Sequence, residues 1–362
     1  MRPSRLLALA SATAVAGALA APAPSPAAPA SAPASHVVAR HLLSPLTFAV
    51  AGRTIYVTQN FGGMLSKIRP GHRPMTWYRS KNEVGGVSVR HHRVVFTETK
   101  GSGETNTNSW LKMGHRPGGV RTVANIFRYE RAHNPDKRIR YGVRGIPADC
   151  AAQWPTGQLG PATYRGQVDS HPYATTQTKR RIYVADAGMN AVLSVTRAGH
   201  IRTIAVTPAV RVPITSDLAS QFGVPACAVG MTYYGESVPT DVERGPHGGL
   251  IVTTLGGGLG EQLPLGAIYR INPRSGHLKR LVAGLATPTG VAVDRHGTMY
   301  VAGLFSNEIS RIRAGSHRVR TFAKVAQPAA TELSRGHLYA STNALPASNT
   351  APPRGKIVRY AR

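Results

Sequence analysis

The chain has 362 residues, with 44 Lys plus Arg against 16 Asp plus Glu, for a formal net charge of +28. A charge of that size makes association with anionic surfaces an expectation and says nothing about fold. Only two cysteines occur, Cys150 and Cys227, with no Cys-x-x-Cys pair, which excludes a zinc knuckle and a thioredoxin-type site.

The first twenty residues have the layout of a secretory signal peptide. Arg2 and Arg5 give a basic start, Leu6 to Ala20 is an unbroken run of small and apolar residues, and Ala18 and Ala20 stand at −3 and −1 before Ala21. Cleavage is expected between Ala20 and Ala21, and the product is expected to be secreted. The run is shorter than the roughly 20 apolar residues that span a bilayer. Residues 21–35 are almost wholly Ala, Pro and Ser, a composition that makes a spacer rather than a core. The folded part is therefore read as one domain over 36–362.

From there the chain repeats itself. The cleanest copy, residues 289–325, holds four short strands: GVAVD, TMYVAGL, EISRIRA and RVRTFAK. Apolar and polar residues alternate and turns separate the runs, the pattern of half-buried antiparallel strands. Similar units cover 46–80, 85–126, 172–206 and 239–284, and a last one begins near Pro328. A Pro opens the first strand in five copies (Pro45, Pro172, Pro239, Pro288 and Pro328), where its missing N–H does least harm. Gly-His occupies the turn between third and fourth strands at Gly71-His72, Gly114-His115, Gly199-His200 and Gly276-His277, with a variant at Gly315-Ser316-His317.

The last copy lacks a fourth strand, while HVVAR (36–40) is a fourth strand with no preceding three. Pairing HVVAR with KIVRYA would close a ring. The expectation is an all-β, six-bladed β-propeller of four-stranded antiparallel blades, closed by 36–40. A β-sandwich or a solenoid does not account for the split sixth copy.

Insertions are expected at 100–109, 127–168, 207–237, 255–266 and 342–355, all as loops on one face, leaving the other face plain. Loops on one rim of a rigid scaffold usually carry function. Cys150 and Cys227 fall in consecutive inter-blade insertions and are expected to form a disulfide. The Gly-His turns lie on the plain face, one per blade, too far apart for a metal. With Arg73, Arg116, Arg202, Lys279, Arg280 and Arg318 they would form a basic ring.

Polar residues entering the central channel are the site candidates. Asp169, His171 and Tyr173 enter the third blade, and Glu236, Thr240 and Asp241 the fourth; Asn60, Glu98, Asp186 and Asn343 end second strands. Asp169, His171, Glu236 and Asp241 could hold a divalent cation, the one cofactor the sequence suggests. They could equally satisfy buried backbone groups. No catalytic residue can be named: Gly-x-Ser-x-Gly, His-Glu-x-x-His, a phosphate loop and a dinucleotide fingerprint are all absent.

Residues 169–206 and 236–276 resemble the ScyD/ScyE family of bacterial proteins. The likeness rests on Asp-x-x-Pro-Tyr before a blade, Tyr-Val-Ala-Asp-Ala-Gly-x-Asn at 183–190, and Val-Pro-Thr before the next blade. The resemblance implies an exported propeller related to NHL-repeat and gluconolactonase-like folds. The expected function is a non-catalytic binding or scaffold protein on anionic envelope polymer, lipid head groups or glycan. The alternative is a metal-dependent, lactonase-like hydrolase or lyase at the channel mouth. Nucleic acid is not an expected partner of an exported chain.

Overall fold

The computed structural model describes residues 33–102, 105–348 and 350–362. The expected signal peptide and most of the spacer lie outside the described residues. So do two residues in the 100–109 insertion and one in 342–355.

Seven four-stranded antiparallel sheets make up the fold. Five are simple meanders of consecutive strands: sheet 1 over 48–79, sheet 2 over 83–125, sheet 3 over 172–206, sheet 4 over 238–285 and sheet 5 over 288–324; sheet 6 has three consecutive strands over 331–360. In sheet 6 the fourth strand is Ser35–Leu42, which runs antiparallel to Gly355–Tyr360 with Ser35 opposite Tyr360 and Val37 opposite Val358. The N-terminal strand therefore completes the sheet begun by the C-terminal repeat.

Strand formation follows the residue pattern. Arg181–Asp186 (RIYVAD) and Ala191–Thr196 (AVLSVT) are β-branched and apolar runs buried almost throughout, as strands sandwiched between neighbouring sheets must be. The core is accordingly divided into slices. Val95, Leu111 and Val123 of sheet 2 meet Ile182, Val184 and Leu193 of sheet 3. Equivalent slices join sheets 1 and 2, 3 and 4, 4 and 5, and 5 and 6. The slice holding Phe48, Ile55, Ala330 and Ile357 joins sheet 6 back to sheet 1.

The innermost strands carry bulges directly after their opening residues, between Pro172 and Ala174, Pro239 and Asp241, Pro288 and Gly290, and Gly85 and Ser88. A bulge frees ladder groups, and threonines from neighbouring sheets take them up. Thr97 Oγ1 donates to Pro172 O (2.6 Å), Thr240 Oγ1 to Pro288 O (2.8 Å), and Thr289 Oγ1 to Ala329 O (2.8 Å). Each such bond ties two adjacent sheets beside the channel.

The seventh sheet corrects the expectation of loops. It is built from Arg140–Val143 and Thr163–Arg165 of one insertion and Val210–Pro213 and Thr232–Gly235 of the other. With the helices Ala148–Ala152, Thr156–Leu159 and Ser216–Phe222 it forms a lid with its own core of Val143, Trp154, Leu159, Val212, Ile214 and Tyr233. Leu259, Leu263 and Leu265 of the 255–266 insertion pack into that core. The expected Cys150–Cys227 disulfide is present, with Cα atoms 6.0 Å apart. Helix formation in 127–168 begins earlier, at Ile126–His133, whose first turn is capped by Asn125 Oδ1 accepting from the Arg128 amide at 2.7 Å.

The Gly-His turns are exposed at His72, His115, His200 and His277. Two of their glycines do more than turn. Gly199 (φ +91°) and Gly276 (φ +76°) lie against Val123 O and Ile204 O of the preceding sheets, where an added Cβ would meet a carbonyl oxygen at 2.4 Å.

Candidate functional site: the channel mouth and its carboxylates

The mouth is organised around His171. Its Nε2 lies 3.1 Å from Glu83 Oε2, and Glu83 Oε1 accepts from Asn60 Nδ2 at 3.0 Å. Asn60 is in turn held by Thr58 Oγ1 at 2.6 Å. Burial alone would lower the imidazole, but Glu83, with Asp186 and Asp169 behind it, raises its pKa to about 9. Glu83 moves the opposite way: burial works against it, yet the charge and hydrogen bond of His171 hold it below the ordinary carboxylate value. At neutral pH the pair is therefore an imidazolium and a carboxylate.

Asp186 organises the turn beneath. Its carboxylate accepts from the His171 amide (2.8 Å), the Gly188 amide (3.1 Å) and Ser170 Oγ (2.8 Å), while burial pushes its pKa up to about 6. Asp169 Oδ1 accepts from Asn106 Nδ2 (2.8 Å), which tethers the long hairpin of sheet 2 to the entry of sheet 3. Glu236 lies on the lid side and accepts from the Tyr164 hydroxyl at 3.2 Å; burial raises its pKa. Glu98 is fully engaged between sheets 1 and 2, by Tyr78, Ser80 and Asn82 at 2.6–2.8 Å and by Lys112 at 3.3 Å. Asn343 occupies a left-handed turn (φ 49°), its amide bonded to Ala326 O.

Asp241 is placed elsewhere. It lies within the channel, where Oδ2 accepts from the Val291 amide (2.7 Å) and Oδ1 from the Val242 amide (2.8 Å), so it stitches the bulge of sheet 4 to sheet 5. Glu243 and Glu332 line the same cavity, of about 20 Å³, with Thr47, Thr175 and Thr289. Burial raises all three carboxyls, Asp241 to about 7 and Glu243 to about 8, and mutual repulsion lifts Glu243 and Glu332 further. Leu46, Leu304, Ala344 and Leu345 pack together with Tyr173 and Phe305. The sequence reading passed over Glu243 and Glu332, although each stands four residues after the Pro that opens its repeat, Pro239 and Pro328.

A second acidic group was also missed. Glu130 and Asp136, from the 127–168 insertion, are almost completely buried. Asp136 Oδ2 accepts from Tyr141 and Asn190, each at 3.0 Å. Burial, followed by the charges of Asp186, Asp136 and Asp169, raises Glu130 to about 9, which makes it a neutral acid at physiological pH. Nothing in the periodicity of a segment read as loop could have marked these two as interior.

Each of the four cation candidates has a protein partner of its own. His171 Nε2 is engaged by Glu83 Oε2 at 3.1 Å. Asp241 spends its oxygens on backbone amides away from the mouth. Among the described residues no three His, Cys, Asp or Glu side chains gather as ion ligands.

No protein-family model matches the chain, and no curated protein is similar enough in sequence to match. Solved structures do match. A streptogramin B lyase aligns over 91% of this chain and 87% of its own at 15% identity, with a TM-score of 0.51. The PQQ-bound aldose sugar dehydrogenase of Streptomyces coelicolor aligns over 92% and 99% at 12% identity and 0.53. The soluble aldose sugar dehydrogenase of Escherichia coli aligns over 90% and 98% at 13% identity and 0.52. The fold is all-β and propeller-like. Identities this low speak to the scaffold alone. The ScyD/ScyE resemblance is not matched by any family model.

The distribution of charge on this propeller is lopsided. Glu83, Glu98, Glu130, Asp136, Asp186, Asp241, Glu243 and Glu332 all point inward, where most are buried or half-buried. Arginines and lysines stay outside, and among the described residues only Lys112 and Arg362 form ion pairs with carboxylates. The exterior of the described residues is therefore predominantly cationic, with Asp149, Asp217 and Glu261 among its exposed carboxylates. No described helix is long and apolar enough to cross a membrane.

Proposed function

We propose that this protein is an exported, ScyD/ScyE-like propeller with six blades that binds, without catalysis, anionic material of the cell envelope or its surroundings. The cyclic packing of six sheets, the sixth completed by the N-terminal strand, supports the blade number, with the insertion sheet standing outside the ring as a lid. The disulfide supports an oxidising compartment, in keeping with the leader-like N-terminus.

The observation that carries the function is the sorting of charge: half of the carboxylates are turned inward, while nearly all the cations are outside and unpaired among the described residues. Such a surface costs self-repulsion and is compensated when polyanions condense on it. A metal-dependent hydrolase or lyase at the mouth is the weaker reading, because His171 is committed to Glu83 and Asp241 to the backbone.

The test is retention of the mature chain on an immobilised acidic polysaccharide. Binding at low ionic strength and release as salt shortens the screening length to roughly 3–8 Å support the reading. Passage through the column at low salt refutes it.

A further inference from the structure

The outer face of the lid sheet carries a feature that the fold does not require. Arg140 pairs with Arg165, Gly142 with both Thr163 and Tyr234, and Tyr234 with Arg211. Residues paired across an antiparallel ladder share a face. Arg140, Arg165, Tyr234 and Arg211 therefore lie on one side of the sheet. Tyr141, Val143, Tyr233 and Val212 lie on the other and are buried. Arg144 follows directly and folds back over this outer side, its guanidinium 3.7 Å from the Tyr234 ring centroid, with Arg211 at 5.9 Å. Arg144 also donates to Arg140 O at 3.2 Å.

All four arginines are exposed, and none is in an ion pair among the described residues. Arg140 opposite Arg165 is a like-charge cross-strand pair, which destabilises a sheet. The short strands that carry it gain nothing from that repulsion. The cost is removed by an anion lying between the two guanidinium groups. The Tyr234 ring meanwhile fixes Arg144 in place before any ligand arrives, so little side-chain freedom is lost on binding.

We infer that this face of the lid sheet is the binding surface for an acidic polysaccharide, whose carboxylate or sulfate groups bridge Arg140, Arg144, Arg165 and Arg211. This rests on the reading of the protein as a polyanion binder and assigns that binding to one surface. The face is an open sheet several strands wide rather than a pocket, which suits an extended chain more than a compact lipid head group. The ring of Tyr234 is covered by Arg144 and so offers no platform for stacking a nucleic-acid base. The disulfide and the lid core hold the sheet rigid, as a repeated-charge ligand requires.

Two variants of equal charge decide the matter. One carries Arg140→Gln, Arg144→Gln, Arg165→Gln and Arg211→Gln; the other carries Arg73→Gln, Arg116→Gln, Arg280→Gln and Arg318→Gln, which removes the same charge from the opposite rim. Each is confirmed as folded by its melting profile and by tryptophan emission, to which the buried lid residue Trp154 contributes with Trp77 and Trp110. Affinity for a carboxylated and a sulfated polysaccharide is then measured at fixed salt. The lid variant is expected to lose about tenfold or more and the rim variant about twofold or less, since charge-assisted contacts are local and diffuse attraction is not. Equal losses would overturn the assignment to the lid while leaving the polyanion reading intact. Absence of binding by the unmodified protein would overturn that reading itself. Anionic phospholipid vesicles and a single-stranded oligonucleotide serve as the other arms. Lid-dependent binding that is tighter to either of these than to both polysaccharides overturns the choice of ligand.

Discussion

Removing the Cys150–Cys227 bridge, by reduction or as Cys150→Ser/Cys227→Ser, should open the lid before the ring unfolds. The bridge joins residues 77 apart. A loop of that length corresponds to about 4.5 kcal/mol in the chain-entropy model. Sheet 3 lies within the loop and stays folded on its own ladder, so only the two insertions are released. Because closure entropy grows with the logarithm of loop length, the figure falls only to about 4 kcal/mol. A loss of 3–4 kcal/mol raises the open population on the order of 100- to 1000-fold. The lid core is small, and Trp154, stacked on Tyr233 with centroids 6.0 Å apart, reports its state. The assay is thermal unfolding followed by tryptophan emission, with trypsin digestion at temperatures below the main transition. The reduced form should shift its emission early and be cut at Arg138, Arg144, Arg165 or Arg211 while the ring survives. An unchanged cutting pattern and a single unshifted transition would show that the bridge contributes nothing to holding the lid.

Three further outcomes follow from the interior. The His171–Glu83 pair stabilises the fold while the imidazole is charged. With the folded pKa near 9 and the unfolded value near 6.5, its contribution is full below pH 6.5 and lost as pH rises through 9. Allowing for partial exposure, His171→Gln should cost about 1–3 kcal/mol at pH 6 and much less at pH 10, measured by denaturant unfolding. The channel carboxyls behave oppositely to ordinary acids: with Glu243 raised to about 8, ionisation destabilises the fold as pH climbs from about 4.5 through 8. Glu243→Gln/Glu332→Gln should therefore gain on the parent protein at pH 9 and not at pH 4, by the same measurement. Gly199→Val would place a Cβ on Val123 O in a left-handed backbone, and a loss of about 2 kcal/mol or more in melting analysis is expected.

The ring was readable from residues because its logic is local and repeated. Proline at the head of inner strands, alternation along each run and the orphan strand at 36–40 all report on backbone pairing, which periodicity encodes. The lid was not readable. Its strands are three or four residues long, and Thr163–Arg165 carries no alternation that distinguishes it from a loop. Long-range contacts made them a sheet.

The site candidates divide in the same way. Asp186 and Asp241 were picked out for position, yet structure gives them backbone amides to satisfy, a role that spacing cannot separate from ligation. Glu83, the partner that fixes His171, comes from another repeat, and no spacing within one repeat points to it.

Closing the ring with Ser35–Leu42 has a further consequence for biogenesis. The N-terminal strand cannot find its partner until Gly355–Tyr360 has been made, so it waits through the synthesis of all six sheets. During that interval it is an open edge, and the charge of Arg40 disfavours its pairing with strangers. A chain that lacks Gly355–Tyr360 is then not a smaller version of this fold but an unclosed one. Closure thereby reports that both ends of the sheet array have been made.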